Sequence, residues 1–179
     1  LGTKVMTATI QISVREHAGA KRTQESVCVS VPLPRGNSAV ADRWAVQCPQ
    51  GELLPSQTKV LATWSDGSVK WLQVLFPATV TAHASAYYLL LPADKRVPEI
   101  KDVVHVEALS DRIIVKTGGH TFTLPNSGDV LLADVRKMDE DLRIGASVKA
   151  SITNRQLGCH PLTLQSLQLL ESGPQRARI

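Results

Sequence analysis

The segment Val60-Leu-Ala-Thr-Trp-Ser-Asp-Gly-Ser-Val-Lys-Trp-Leu-Gln-Val-Leu-Phe76 decides the fold of this chain. Apolar and polar residues alternate on both sides of Asp66-Gly67, and a period of two is typical of a half-buried strand. Asp-Gly favours the positive φ angles of a type I′ turn, so the segment predicts a β-hairpin. In an idealised hairpin with a two-residue loop, Trp64 pairs with Val69, and Trp71 lies diagonally on the same face.

The same two-residue period recurs along most of the chain. It covers residues 10–14 and 27–33, and a second hairpin is predicted at 112–124 around Gly118-Gly119. Residues 131–142 have apolar residues at helical spacing, but their acidic C-terminal end opposes the helix dipole, so strand, turn, strand is favoured there. Further strands are expected at 86–91, 103–108, 130–135, 148–153 and 163–170. Many short strands with regular turns predict an all-β sandwich or barrel.

Length and composition fit a folded domain without a membrane span. The 179 residues are 43% hydrophobic and 20% charged, which is enough to bury a core. We expect a single β-domain over 1–179, with a subdomain break near 92–103. The longest apolar run, 86–91, is far shorter than the roughly 18 to 20 residues that a membrane span needs. A membrane is therefore not a predicted partner.

The charge pattern does not favour nucleic acid. Lys and Arg number 20 against 16 Asp and Glu, for a net charge of +4. A nucleic-acid surface needs basic residues clustered on one face together with a recognised module. Here the basic residues are scattered and no such module is recognisable, so nucleic acid is not a predicted partner.

The three cysteines are Cys28, Cys48 and Cys159. Their odd number and the lack of CxxC spacing argue against a metal knuckle or a redox pair. Cys28 lies in an alternating apolar run and is expected to be a small core residue. Cys48 and Cys159 lie in loop-like segments, so one disulfide between them in an oxidising compartment is left open.

The ends of the chain indicate a piece of a longer protein. The chain begins Leu1-Gly2-Thr3, with no recognisable signal peptide. It stops at Ile179, inside what resembles the start of a strand. We therefore expect this chain to be the N-terminal part of a longer polypeptide.

Tryptophans supply the candidate binding residues. An indole face stacks on the C–H face of a pyranose, and a nearby carboxylate accepts hydrogen bonds from sugar hydroxyls. The predicted carbohydrate-binding residues are therefore Trp44, Trp64, Asp66 and Trp71. The alternative is that the two hairpin tryptophans anchor the core. That alternative is favoured because only seven aromatic residues are present to fill the interior.

No catalytic residue, metal site or cofactor is predicted. The five histidines show neither HxH nor HExxH spacing, so a metal site has no local motif. No GxSxG elbow occurs, and neither GxGxxG nor GxxxxGK[ST] is present to cradle a phosphate. The carboxylates that could pair for glycoside chemistry do not stand out from the acidic background of any domain.

Three pieces of the sequence resemble the opening of one carbohydrate-active family. They are Val31-Pro-Leu-Pro-Arg-Gly36, Leu54-Pro-Ser-Gln57 and Trp64-Ser-Asp-Gly-Ser-Val-Lys-Trp-Leu72. Together they resemble the exo-rhamnogalacturonan lyase and YetA-like proteins. Looser similarity continues downstream, so the resemblance covers about residues 25–179, and 57–72 is its most specific part.

The resemblance implies a fold and a setting. The N-terminal part of that family resembles a RIFT-type barrel, so it implies a small closed or partly open antiparallel barrel, with an added β-sandwich-like layer as an option. It further implies an extracellular or periplasmic protein of the polysaccharide lyase type. Its partners would be missing C-terminal domains of the same polypeptide, which hold a catalytic toroid, and a polysaccharide.

The role implied for this chain is a non-catalytic module that packs against the toroid and positions it. The matched motifs carry none of the family's catalytic residues, so the chain alone is expected to be inactive. The alternative is a carbohydrate-binding module that uses exposed tryptophans.

Overall fold

The computed structural model describes residues 9–39, 43–93, 98–100, 103–138, 142–145, 147–155 and 158–179. Their regular structure is all β-strand, which confirms the predicted class, and no helix among them is long and apolar enough to span a membrane. The chain divides into two compact units, unit 1 at Leu1–Ile100 and unit 2 at Lys101–Ile179. The single domain over 1–179 with a break near 92–103 stays a prediction, and residues 94–97 and 101–102 lie outside the described residues.

The described part of unit 1 contains seven strands: β1 Ile10–Arg15, β2 Arg22–Pro32, β3 Trp44–Gln47, β4 Leu53–Leu54, β5 Gln57–Thr63, β6 Val69–Val80 and β7 Ser85–Pro92. They form a four-stranded antiparallel sheet, in the order β1-β7-β3-β4, and a three-stranded one, β2-β6-β5. Among the described residues the two sheets do not join into one ring of hydrogen-bonded strands. Of the two predicted forms, the barrel is therefore the partly open one.

The β5–β6 hairpin is confirmed, but its turn differs from the predicted one. The backbone N–H of Trp64 donates to the carbonyl of Ser68 at 2.8 Å, so these two residues close the loop. Three residues lie between them, and only Gly67 has a positive φ, 81°. A type I turn followed by one left-handed residue has this geometry, whereas a type I′ turn needs two positive φ angles. Trp64 therefore lies opposite Ser68 and not opposite Val69.

The core of unit 1 lies between the inward faces of its two sheets. Phe76 on β6 and Tyr88 and Leu90 on β7 are at most 2% exposed. The rings of Phe76 and Tyr88 pack with centroids 5.0 Å apart and planes tilted by 54°. The Tyr88 hydroxyl donates to the Thr79 carbonyl at 3.0 Å and accepts from the Thr79 N–H at 2.8 Å. The polar end of this buried pair is therefore satisfied.

The prediction that Cys28 is a core residue is wrong. Val27 and Val29 pack against the core, and Cys28 between them is exposed. Successive residues of a strand point to opposite faces, so the alternation that buries the two valines turns Cys28 outward. Cys48 is half-buried against the core of unit 1 and Cys159 is exposed, and the three described cysteines form no disulfide.

The described part of unit 2 contains nine short strands: β8 His105–Ala108, β9 Arg112–Thr117, β10 His120–Pro125, β11 Asp134–Lys137, β12 Leu142–Gly145, β13 Ser151–Asn154, β14 Gly158–Pro161, β15 Glu171–Ser172 and β16 Ala177–Arg178. The first five form an antiparallel sheet in the order β12-β11-β10-β9-β8. The last four form two separate two-stranded hairpins, β13–β14 and β15–β16.

Local turn chemistry predicts the β9–β10 hairpin correctly. Thr117 pairs with His120, and Gly118 and Gly119 both have positive φ angles, 52° and 76°, as a type I′ turn requires. The preference for strand, turn, strand over a helix at 131–142 is confirmed by β11 and the start of β12, although β11 begins only at Asp134 and residues 139–141 lie outside the described residues.

Two strand predictions in unit 2 are wrong. The strand expected at 130–135 begins only at Asp134, and residues 163–170 contain one isolated bridge, between Leu164 and Gly128. These segments do have the apolar pattern, but a strand also needs a second strand that is hydrogen-bonded to its edge. Alternation along the chain carries no information about that neighbour.

Unit 2 buries little of its apolar surface. Among its described residues, Ile113 is the only fully buried apolar side chain, at 3% exposed. The carboxylate of Glu171 is also buried, and it accepts hydrogen bonds from Arg176 at 2.9 and 3.1 Å. Seven large apolar side chains are 39–58% exposed: Met138, Leu142, Val148, Ile152, Leu162, Leu170 and Ile179. We call this set the apolar surface of unit 2.

Candidate functional site

The three tryptophans of unit 1 have three different environments. Trp44 is 4% exposed within the core, so its ring has no face open to a ligand. Trp71 is 38% exposed on the outer face of the three-stranded sheet, where Pro32 and Ala62 are its neighbours across the strands. Trp64 is half-buried. The expectation that both hairpin tryptophans anchor the core is therefore wrong for Trp71.

Trp64 is held by Leu33 and Lys70. Its ring N–H donates to the Leu33 carbonyl at 3.0 Å, and the Lys70 Nζ lies 4.7 Å from its ring centroid. A cation at that distance over an indole is attractive, and it also covers one ring face. Lys70 and Trp71 are successive residues of β6 and point to opposite faces. The predicted diagonal contact between Trp64 and Trp71 is therefore not formed.

Asp66 ties the hairpin turn to the loop at 33–38. Its Oδ1 accepts hydrogen bonds from the Ser68 N–H at 3.0 Å and the Ser68 hydroxyl at 2.6 Å. Its Oδ2 accepts from the Arg35 Nε at 3.0 Å, and the Ser68 Oγ accepts from the Gly36 N–H at 2.9 Å. Hydrogen bonds from the Ser68 hydroxyl, the Ser68 N–H and Arg35 lower the pKa of Asp66 from its usual 3.8 to about 2.

Two of the three motifs that carry the family resemblance, 31–36 and 64–72, meet at this point. Arg35 and Gly36 end the first motif, and Asp66 and Ser68 lie in the turn of the other. We call these four residues the turn clamp. Both oxygens of Asp66 are engaged by protein donors, so the geometry explains the motif as a structural device. Binding of carbohydrate by Trp44, Trp64, Asp66 and Trp71 stays a prediction.

The turn clamp gives a stability prediction. Asp66→Ala is expected to lower the thermal midpoint of unit 1 by about 5 °C at pH 7, because the Ser68 N–H and hydroxyl lose their acceptor. Tryptophan fluorescence during a thermal scan measures this. Arg35→Gln is the matched control, with an expected change within about 1 °C, because the exposed pair of Arg35 with Asp66 contributes little. Equal losses in the two variants would contradict the assignment.

A second cluster lies where β1 ends and where β6 turns back into β7. Glu16 is 6% exposed. Its Oε1 accepts a hydrogen bond from the Ala18 N–H at 2.7 Å. Its Oε2 accepts from the Gly19 N–H at 2.9 Å and the His83 N–H at 3.0 Å. One carboxylate therefore joins two turns of unit 1, and we call this end, at 14–27 and 78–83, the barrel mouth.

The electrostatics of Glu16 follow from these bonds. The His83 N–H, with further backbone donors at 18–20, lowers the pKa of Glu16 from its usual 4.5 to about 2, against the opposing effect of burial. The Arg22 guanidinium adds one nitrogen 3.7 Å from Glu16 and another 3.3 Å from Glu25. Glu16 is therefore a carboxylate at neutral pH, with its charge compensated by fixed donors.

Glu16 is absent from the residues predicted from the sequence, although a signal for it exists. Ile10, Ile12 and Val14 alternate toward the core, and the next position of the same parity is Glu16. A charged residue at an inward position needs partners, and that requirement marks it as special.

The described acids whose pKa values are lowered are poorly suited to act as a general acid or base near neutral pH. Asp66 and Glu16 both have lowered pKa values, and so has Asp134, through its contacts with Arg136 and Arg143. Proton transfer at pH 7 is most efficient when the catalytic pKa lies near that pH. No group of three His, Cys, Asp or Glu among the described residues could hold a metal ion.

Comparison with known proteins places unit 1 in a family. Residues 11–89 match the family model of the PcRGLX-like N-terminal RIFT barrel domain, and no curated protein matches the chain. The matched span includes the turn clamp and Glu16, and it runs from β1 into β7. Residues 11–89 of this chain are therefore a RIFT barrel domain of the PcRGLX-like N-terminal type.

Proposed function

We propose that this chain is a non-catalytic β-module of a carbohydrate-active, polysaccharide lyase-like protein, and that it packs against the catalytic domain and positions it. The observation that carries the proposal is the apolar surface of unit 2, with seven large side chains 39–58% exposed. Burying exposed apolar side chains against another protein surface removes them from water, and interaction surfaces are often apolar for that reason. Covering apolar area is favourable by roughly 25 cal/mol per Å².

The chemistry of the described side chains supports a non-catalytic role. Elimination beside a uronate carboxylate needs a base for the proton and a group that neutralises the carboxylate charge. The acids with lowered pKa values are all held by neighbouring donors or cations, which makes them weak bases. A catalytic domain elsewhere in the protein would supply both groups.

The isolated chain is therefore expected to be inactive on pectic polysaccharide. The measurement is the ultraviolet absorbance of unsaturated uronates during incubation with the purified chain. A trace that stays at the level of heat-denatured chain agrees with the proposal. Steady turnover that rises with the concentration of folded chain would overturn it.

Packing is tested separately by hydrogen exchange. We compare this chain alone with the same chain joined to the polypeptide that its gene encodes after the codon for Ile179. Amides in 142–145, 147–155 and 162–170 are expected to exchange more slowly in the longer protein, because they carry or flank the apolar surface of unit 2. The interior of β6 is the internal control, since Val74 and Phe76 are already 0% exposed. Unchanged exchange in unit 2 would contradict packing.

A second candidate function is carbohydrate binding, and the exposure of Trp71 favours it. Its indole is 38% exposed on the outer face of the three-stranded sheet, and stacking on an aromatic ring is worth about 0.5–1.5 kcal/mol. If the chain binds a polysaccharide, Trp71→Ala should weaken binding up to about tenfold in affinity electrophoresis. The control is Leu61→Ala, an exposed residue of the neighbouring strand. Equal retardation of Trp71→Ala and the unsubstituted chain would exclude Trp71 as the platform.

A further inference from the structure

Basic side chains lie in one row across the five-stranded sheet of unit 2. The strand register pairs one residue of each strand with the next, from β12 to β8, in the order Arg143, Arg136, Thr121, Lys116 and His105. Residues that pair directly across antiparallel strands lie side by side on one face of the sheet. We call these five residues the basic row. Neighbouring strands are about 4.8 Å apart, so the row is about 19 Å long.

The basic row lies on the outer face of this sheet. Its two arginines, Lys116 and His105 are exposed. The residues that alternate with them along the strands, such as Val115 and Phe122, are half-buried and pair with each other on the opposite face. Val115 and Phe122 also line a cavity together with residues 175–177, so that segment covers part of the opposite face. The basic row is therefore turned towards solvent.

The charges of the basic row are only partly compensated by acids on the same face. Asp134 lies two positions before Arg136, and its Oδ1 lies 2.7 Å from the Arg143 Nε while its Oδ2 accepts a hydrogen bond from the Arg136 Nε. One carboxylate therefore holds two guanidinium groups at the row. In the part of the chain that the structure describes, Lys116 pairs with no carboxylate, although Glu107 lies in the next row of the same face. Three cations face these two acids, so the row keeps a net positive charge.

We propose that the basic row binds a polyuronate, a linear polysaccharide that carries one carboxylate on each sugar ring. The carboxylates pair with Lys116, Arg136 and Arg143, and a guanidinium can hold a carboxylate by two parallel hydrogen bonds. Cations spread over several strands fit a chain of carboxylates, whereas a single small anion engages only one part of the row. The choice of a polysaccharide among polycarboxylates rests on the proposed function. The site shares no residue with Trp71 or with the apolar surface of unit 2.

Two other polyanions fit this face less well. Single-stranded nucleic acid binds largely by stacking its bases on aromatic side chains. Phe122 is the only Phe, Tyr or Trp in the sequence of unit 2, and it lies on the opposite face of the sheet. An acidic peptide carries its carboxylates on flexible side chains, which lose rotamer freedom when they are bound. A uronate carboxylate is attached directly to a rigid ring, so ordering it costs less.

The test is a titration of the ¹⁵N-labelled chain with the linear hexamer of galacturonic acid, followed by amide chemical shifts. Saturable shifts are expected at the residues of the basic row. Lys116→Gln should weaken binding by about two- to fivefold, as for an exposed ion pair, and Lys116→Gln combined with Arg143→Gln by about tenfold. The control is Lys137→Gln, which removes the same charge from the opposite face of the same sheet and should leave binding unchanged.

Further ligands separate the charge from the molecule that carries it. The fully methyl-esterified hexamer should give no saturable shifts at the basic row, because it lacks the carboxylates. Raising NaCl from about 0.02 M to about 0.2 M should weaken binding of the charged hexamer several-fold, because salt screens exposed charges. Tighter binding of hexaglutamate or of a thymidine oligonucleotide than of the hexamer would overturn the polyuronate class.

Two outcomes would overturn the site itself. One is the absence of saturable shifts with the charged hexamer, and the other is equal weakening by Lys116→Gln and Lys137→Gln. The unliganded spectrum of each variant confirms that it is folded. Packing against a catalytic domain is measured by hydrogen exchange in the longer protein, so a failure of the proposed function is seen there and is distinguishable from a failure of this site.

Discussion

Glu16→Gln is expected to lower the thermal midpoint of unit 1 by about 10 °C at pH 7. The substitution keeps the shape of the side chain but replaces one carboxylate oxygen by an NH₂ group. Oε1 faces the Ala18 N–H, and Oε2 faces the N–H groups of Gly19 and His83. In either amide orientation a donor therefore meets at least one backbone donor, and a nearly buried N–H is left without an acceptor.

The Glu16 effect should also depend on pH, in a direction that the lowered pKa determines. The folded pKa is about 2 and the usual value is 4.5, so folding favours the ionised form. The contribution of this charge to stability is complete above about pH 5, and it is lost progressively as the pH falls from 4.5 towards 2. The midpoints of Glu16→Gln and the unsubstituted chain should therefore converge as the pH approaches 2.

Tryptophan fluorescence measures this prediction in unit 1 alone, because all three tryptophans of the chain lie there. Thermal scans at pH 7, 5, 4, 3 and 2 give the two curves. Glu25→Gln is the matched control, because Glu25 also pairs with Arg22 but is 55% exposed, and its midpoint should change by less than about 2 °C. A gap between Glu16→Gln and the unsubstituted chain that does not narrow with acid would contradict the assigned role of the charge.

Phe76→Ala is expected to destabilise unit 1 by about 3–5 kcal/mol. Phe76 is 0% exposed, and it packs against the ring of Tyr88 at the centre of the core. Removing the ring loses its transfer free energy and leaves a cavity that the two sheets cannot close without moving. The loss is a large share of the stability of an ordinary domain, so a part of the molecules should be unfolded at 37 °C.

Urea unfolding followed by tryptophan fluorescence measures the Phe76 effect as a shift of the midpoint at constant slope. Phe76→Leu is the comparison, since it keeps most of the apolar volume and should lose less than half as much. Leu61→Ala is the control for the loss of an exposed side chain, because Leu61 is 47% exposed. A loss below about 1 kcal/mol in Phe76→Ala would contradict the central position of this ring.

The strand pattern and both hairpins follow from local sequence. Alternation along 60–76, with Asp66-Gly67 in the middle, predicts β5 and β6. The alternation of apolar and polar residues that identifies a strand depends only on the residues of that strand. The turn type is less local. Gly118-Gly119 forms the expected type I′ turn because both residues tolerate positive φ, whereas the single glycine at 67 supports a three-residue loop.

Some candidate site residues can be recognised from the local sequence, but their contacts cannot. The sequence marks Asp66 and Trp64 as unusual, but their contacts involve Arg35 and Leu33, about thirty positions earlier in the chain. Glu16 receives a hydrogen bond from His83 across sixty-seven positions. Such pairings depend on which strands become neighbours, and a single sequence does not state this.

By itself the sequence determined that this chain is an all-β protein, because strand periodicity and turn chemistry are local properties, and the motifs at 31–36 and 64–72 carry the resemblance that implied a RIFT barrel domain. Only the tertiary structure decided which side chains are covered. Trp44 is buried while Trp71 is exposed, Cys28 faces outward, and Glu16 is enclosed by two turns. Burial is a property of the space between sheets, and that space exists only when distant strands have come together.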